Sequence, residues 1–113
     1  MKTRSEEETK LLIELGEAVV ADRLQGLPFG PEELIHQALN YLKKNDSELR
    51  QLVCSNPVIK EMFDDERLVH AATLMADILT HKFSGFPCLT ISRLLIMQGL
   101  KDFCSERWNA EIK

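Results

Sequence analysis

Two histidines and an aspartate on one predicted helix have the types and spacing that suit metal binding. His70, Asp77 and His81 are seven and four positions apart, so at about 100° per residue they fall on one stripe of a helix. Imidazole and carboxylate groups on adjacent turns can share a metal ion. The same stripe carries other polar side chains, however, and a solvent-exposed polar face explains the pattern better. We therefore expect no metal site and no cofactor, and keep the three residues as candidate ligands.

The three cysteines are the other residues with reactive chemistry. Cys88 precedes a predicted helix N-terminus, a position that stabilises a thiolate and can activate a nucleophile. No histidine lies nearby in the sequence to act as its base, and its neighbours are apolar, so we expect no catalytic role. Cys54 and Cys104 follow apolar stretches and are predicted to be buried small hydrophobes. An odd number of cysteines without a signal peptide predicts reduced thiols and a cytoplasmic location.

The sequence lacks the short motifs of common enzymes and cofactor sites. It contains no Cys-x-x-Cys, Gly-x-Gly-x-x-Gly, Walker loop, His-Glu-x-x-His or Gly-x-Ser-x-Gly, each of which would carry a recognisable chemistry. We therefore expect a protein that is not an enzyme.

Charge and hydropathy limit the classes of partner. The 113 residues include 18 acidic and 14 basic side chains, a formal net charge of -4, which argues against a general nucleic-acid or anionic-membrane binder. The longest apolar runs are four residues, whereas a membrane-spanning helix needs roughly 20. Two short predicted helices near Lys43, Lys44, Arg50 and Lys60 keep a helix-turn-helix regulator as an alternative, although the acidic net charge argues against nucleic acid as a partner.

The elements that must position these residues are all helices. Helical periodicity and dense capping signals predict an all-α fold, a single compact bundle of five to six helices in one domain, 1–113. Four longer helices are expected at about 5–25, 31–44, 65–84 and 90–107, with short helices at about 46–55 and 57–63. Residues 1–4 and 109–113 are predicted to be frayed termini.

Helix boundaries are predicted from capping residues. Ser5 followed by Glu8 has the spacing of a capping box, and Asn56 precedes a proline that suits the first helical position. Asp64 and Thr90 are predicted to cap the third and fourth long helices.

Two glycines fall inside predicted helices, where each costs about 1 kcal/mol relative to alanine. A glycine within a helix often permits another helix to approach closely. We therefore expect the helices that contain Gly16 and Gly99 to cross at these two residues.

Apolar residues exceed what one face per helix requires. Residues 94–97 are Leu-Leu-Ile-Met and point all round their helix, so this helix is either central in the bundle or shared with a partner. The loops around Leu27 and Phe29, and around Phe86 and Leu89, are also apolar. They either close the ends of the bundle or form a docking patch.

These features favour a small non-catalytic protein-interaction module: an adaptor, inhibitor or regulatory subunit, with a homodimer as one possible form. Its partner would be another protein or a second copy, bound through the apolar loops and the last long helix. The residues expected at the interface are Phe29, Phe86, Leu95, Met97 and Trp108. The alternatives are the helix-turn-helix regulator and a small metal-binding helical protein.

Overall fold

A computed structural model of the protein describes residues 5–23 and 30–111. Within these residues the chain forms helices joined by turns, without a strand, which confirms the all-α fold class. The helices are α1 (Glu6–Arg23), α2 (Pro31–Lys44), α3 (Asp46–Cys54), α4 (Pro57–Asp64), α5 (Leu68–Thr80), α6 (Cys88–Phe103) and α7 (Ser105–Glu111).

Side-chain caps start α1 and α4 where the sequence predicts them. The Oγ of Ser5 accepts a hydrogen bond from the backbone N–H of Glu8 at 3.1 Å. The side-chain oxygen of Asn56 accepts from the N–H groups of Val58 and Ile59, at 2.8 and 3.4 Å. Each cap satisfies first-turn donors that have no partner within the helix.

Asp64 does not cap α5, which begins three residues later than predicted. Asp64 is instead the last residue of α4, and Glu66 follows it with a φ of 60°. The N–H of Glu66 bonds to the carbonyl of Phe63, and the N–H of Arg67 bonds to the carbonyl of Met62. This pair of bonds is a Schellman motif, in which a residue in the left-handed conformation closes a helix. Because that residue is usually glycine, the sequence gives no signal for it here.

Thr90 does not cap α6 either. The helix begins at Cys88, and Thr90 lies buried within its first turn. The Thr90 hydroxyl donates to the carboxylate of Glu14 in α1 at 2.8 Å, so it links two helices instead of ending one. At the C-terminal end, α7 extends through Glu111.

The packing places α6 near the centre of the bundle. α6 lies against α1, α5 and α7, while α1 also packs on α2 and α5 also packs on α3 and α4. All seven described helices contribute fully or almost fully buried side chains to the core. Its largest members are Leu12, Leu15, Leu49, Ile59, Met75, Leu79, Ile91, Leu94 and Leu100.

Neither glycine mediates the predicted crossing of α1 and α6. A Cβ atom on Gly16 would lie 2.1 Å from the carbonyl oxygen of Leu34 in α2, so Gly16 permits the close approach of α1 and α2. Gly99 has a φ of 110° and breaks the helical path of α6, a conformation that glycine adopts readily. Gly16 therefore allows two helices to pack closely, and Gly99 allows the backbone of α6 to bend.

Candidate interaction groove

The apolar residues of α6 are divided between the core and the surface. Ile91, Leu94 and Leu95 are buried in the core, whereas Ile96 is half-buried and Met97 is 38% exposed. Of the two alternatives raised by the all-round apolar sequence, a central position in the bundle is therefore confirmed for one side of α6. Another side remains exposed among the described residues.

The surface side of α6 forms a groove with α5, which we call the α5–α6 groove. It has a volume of about 370 Å³. From α6 it is lined by Leu89, Arg93, Ile96 and Met97, and from α5 by Leu68, Val69, Ala72 and Thr73. Spacings of four, seven and eight residues along α6, and of one, four and five along α5, place each set on one helical face.

Exposed hydrophobic side chains are concentrated in this groove. Among the described residues, five large hydrophobic side chains are exposed, and four of them line it: Leu68 (42%), Val69 (78%), Leu89 (50%) and Met97 (38%). The fifth, Val58 (45%), lies on α4 outside the groove. Single exposed hydrophobics are normal on protein surfaces, but a contiguous group indicates an interface.

Polar contacts hold the first turn of α1 at the edge of the groove. Arg93 of α6 forms an ion pair with Glu7 of α1, and Gln98 donates to the carboxylate of Glu8 at 3.3 Å. Both partners of the ion pair are about half exposed, so the pair contributes little to stability. The ion pair places one positive and one negative group, Arg93 and Glu7, beside the apolar lining of the groove.

Two of the five predicted interface residues are buried. Leu95 and Trp108 are each 4% exposed, so they belong to the core and present no surface to a partner. Their prediction as contacts is corrected by this burial. Met97 does line the groove.

Phe86 and Leu89, from the predicted apolar loops, lie in different parts of the structure. Phe86 is half-buried and stacks on Tyr41 with the ring centroids 4.8 Å apart, so it packs against the core. Leu89 belongs to α6 and lines the groove. Leu27 and Phe29 lie outside the described residues.

Val69 is the groove residue that sequence reasoning missed. The predicted helix began too early, and its apolar face was defined by Leu68, Ala72 and residues that follow at helical spacing. Val69 lies about 100° round the helix from Leu68, at the edge of that face, and the predicted face does not include it. Two adjacent large hydrophobic residues, Leu68 and Val69, stand at the start of α5, and this pair was the sequence signal that Val69 could lie beside the apolar face.

A disulfide joins Cys54 and Cys104, 50 residues apart in sequence, and the prediction of reduced thiols at these positions is wrong. Cys54 ends α3, and Cys104 lies between α6 and α7. Both residues are buried, as expected. Because disulfides persist mainly in oxidising compartments, the bond removes the argument from reduced thiols for a cytoplasmic location.

The candidate metal ligands are not brought together. His70 and Asp77 are exposed on α5, and His81 follows the last residue of that helix. Within residues 5–23 and 30–111, no group of three or more His, Cys, Asp or Glu residues could hold a metal ion. The remaining thiol, Cys88, is buried and donates to the carbonyl of Phe83 at 3.6 Å.

Two of the four basic residues behind the helix-turn-helix alternative form ion pairs with acidic residues. Arg50 pairs with Asp46 at 2.9 Å, and Lys60 pairs with Asp64 at the same distance. Each acid is on the same helix as its cation, so α3 and α4 do not present an unopposed basic face of the kind that phosphate backbones attract.

Among the described helices, none has the length and hydropathy needed to cross a bilayer. No protein-family model, curated protein or solved structure matches the chain.

Proposed function

We propose that the protein is a non-catalytic protein-interaction module that binds one amphipathic helix of a partner protein in the α5–α6 groove. The observation that carries this proposal is the concentration of exposed hydrophobic side chains there, four of five among the described residues. Burying a valine, leucine or methionine side chain fully is worth about 1.5–3 kcal/mol, so a partner that covers the groove gains a substantial driving force.

The length and shape of the groove suit a helix. Leu89 and Met97 are eight residues apart on α6, which corresponds to about 12 Å at 1.5 Å per residue. A partner helix of the same length presents apolar side chains at i, i+4 and i+7 along one face. A volume of about 370 Å³ accepts such side chains, and Glu7 and Arg93 at the edge offer charges to the polar flank of that helix.

The small exposed area favours a helix over a second copy of this chain. The exposed fractions of the four hydrophobic residues add up to about two whole residues, which corresponds to roughly 200 Å² of apolar surface. A stable dimer of globular subunits buries about 800 Å² on each partner. A narrow occupant therefore fits this surface better than a broad one.

The proposal is tested with displayed peptides and matched surface variants. A phage library of helical peptides with a randomised face is selected against the immobilised protein, and selected peptides are measured by fluorescence anisotropy. We expect Val69→Asp to raise the Kd about tenfold or more, because the valine contact is lost and a carboxylate is desolvated. The control Val58→Asp changes an equally apolar exposed side chain outside the groove and is expected to leave the Kd unchanged.

Two results would overturn the proposal. Selected peptides that bind Val69→Asp and Met97→Glu as tightly as the parent chain would remove the groove as the binding site. Light scattering tests the occupant: the expected mass is that of one chain, 12.9 kDa. A mass twice as large that Val69→Asp returns to one chain would assign the groove to a second copy.

A further inference from the structure

We infer that the Cys54–Cys104 disulfide is a reversible redox clamp that holds α7 against α3 and α4, and that a small thiol opens it. The inference uses residues on the opposite end of α6 from Leu89 and does not depend on the α5–α6 groove.

α7 needs external attachment to remain a helix. It has seven residues, whereas isolated helices shorter than about 12–15 residues are marginal in water. The chain also leaves the helical path at both sides of the last turn of α6, at Gly99 and again at Cys104. α7 is therefore not a rigid continuation of α6.

The described attachments of α7 converge on Cys54. The disulfide joins Cys54 to the residue immediately before α7. The indole N–H of Trp108, within α7, donates to the backbone carbonyl of Cys54 at 3.1 Å. The Trp108 ring also lies 5.8 Å from the ring of Phe63 in α4. Opening the disulfide removes the covalent part of this attachment. It leaves the hydrogen bond to Cys54, the buried Trp108 ring with Lys60 5.9 Å from its centroid, and the contacts of α7 with α6.

A cleft borders the disulfide, whose two cysteines are 3% and 1% exposed. It has a volume of about 580 Å³, and both Cys54 and Cys104 form part of its wall, together with Arg50, Phe103 and Arg107. The third cysteine cannot serve as the attacking thiol, because Cys88 is buried at the other end of α6. Sixteen residues of helix correspond to about 24 Å. The thiol must therefore come from solution.

The reaction is ordinary thiol–disulfide exchange. The thiolate of one small thiol attacks a sulfur of the disulfide, forms a mixed disulfide and displaces the other cysteine as a thiolate, which takes a proton from water. A second thiol attacks the mixed disulfide and displaces the first cysteine. The two small thiols leave as their own disulfide, and Cys54 and Cys104 are left as two thiols.

The only tryptophan of the chain reports the state of the clamp. Because Trp108 is the single tryptophan and is 4% exposed, its fluorescence reports the docking of α7. The purified protein is treated with dithiothreitol without denaturant and then with oxidised dithiothreitol. Alkylation and mass spectrometry count the thiols, while circular dichroism measures the helix content.

We expect one reactive thiol after denaturation of the oxidised protein and three after reduction. Reduction should shift Trp108 emission to longer wavelength, with a loss of helix no larger than the seven residues of α7, and reoxidation should restore both signals. The control Cys88→Ser should behave as the parent chain does, apart from one thiol fewer. The double variant Cys54→Ser, Cys104→Ser should show the long-wavelength emission under both conditions.

Three outcomes would overturn the inference. Three thiols in the protein treated with oxidised dithiothreitol would mean that the clamp does not form. Unchanged emission on reduction would mean that α7 stays docked without it. Loss of helix throughout the chain on reduction would mean that the disulfide holds the whole fold and not α7.

Discussion

Replacing Gly16 by alanine tests the packing of α1 on α2 most directly. A Cβ at this position would lie 2.1 Å from the carbonyl oxygen of Leu34 and 2.7 Å from its carbonyl carbon. Real Cβ atoms essentially never come within 3.0 Å of another heavy atom. Since the atoms it meets belong to the backbone, no side-chain rotation relieves the contact, and α1 and α2 must separate by about 1 Å.

Two opposing effects set the size of the change in stability. Alanine is favoured over glycine inside a helix by about 1 kcal/mol. Forcing extra volume into a packed interface costs about 1–3 kcal/mol, and a contact with backbone belongs at the upper end of that range. The separation also loosens Leu12 and Leu15 on α1, which are fully buried. We expect Gly16→Ala to lower the free energy of unfolding by about 1–2 kcal/mol and the Tm by about 4–8 °C.

Urea unfolding followed by circular dichroism measures this change. A matched pair at the next position, Glu17→Ala and Glu17→Gly, provides the control, because Glu17 is exposed on the same helix. The alanine variant of that pair should be the more stable by about 1 kcal/mol, which is the intrinsic difference between the two residues. If Gly16→Ala is stabilised by a similar amount, α1 and α2 do not approach at Gly16 and the reasoning is refuted.

The remaining predictions concern a helix start and a helix break. Asn56→Ala should lower the free energy of unfolding by about 1 kcal/mol, because the N–H groups of Val58 and Ile59 lose their acceptor; an unchanged urea midpoint would show that the cap is not formed. Gly99→Ala should lower it by about 1–3 kcal/mol, since a φ of 110° is strained for any residue with a side chain. A gain in stability with increased helix content would mean that α6 runs unbroken through residue 99.

Structural features that depend only on residues close together in the sequence could be predicted from it. Ser5 and Asn56 cap helices because their side chains reach N–H groups two or three residues on. Pro31 begins α2 because a first-turn residue needs no N–H donor. The fold class follows from such signals together with the helical spacing of apolar residues.

Features that depend on distant neighbours could not be read in this way. Thr90 looks like a cap in isolation, but Glu14 of α1 accepts its hydroxyl hydrogen bond across 76 positions of sequence. The disulfide joins residues whose proximity is created only by the folded chain. Glu66 closes α4 in a conformation that its residue type does not indicate.

The candidate site was predictable in outline but not in its residues. The excess of apolar side chains on α6 predicted more of them than the core needs, and Leu89 and Met97 are exposed in the α5–α6 groove. Leu95 and Met97 differ by about 200° of rotation round the helix, and hydrophobicity alone does not say which of them faces the core. The neighbours decide, because α1 and α5 cover the side of Leu95 and leave that of Met97 open.

One side of α6 is left exposed because the other described helices pack elsewhere. Gly16 allows α1 to pack closely on α2. The only described residue of α1 that lines the groove is Glu7, in the first turn of that helix. α3 and α4 pack on α5 away from the groove. No described helix remains to cover Val69 and Met97, although the same chain buries Leu95 two residues before Met97. We therefore expect substitution of Leu95 to destabilise the fold, and substitution of Met97 to leave the fold intact and to weaken the proposed binding of a partner helix.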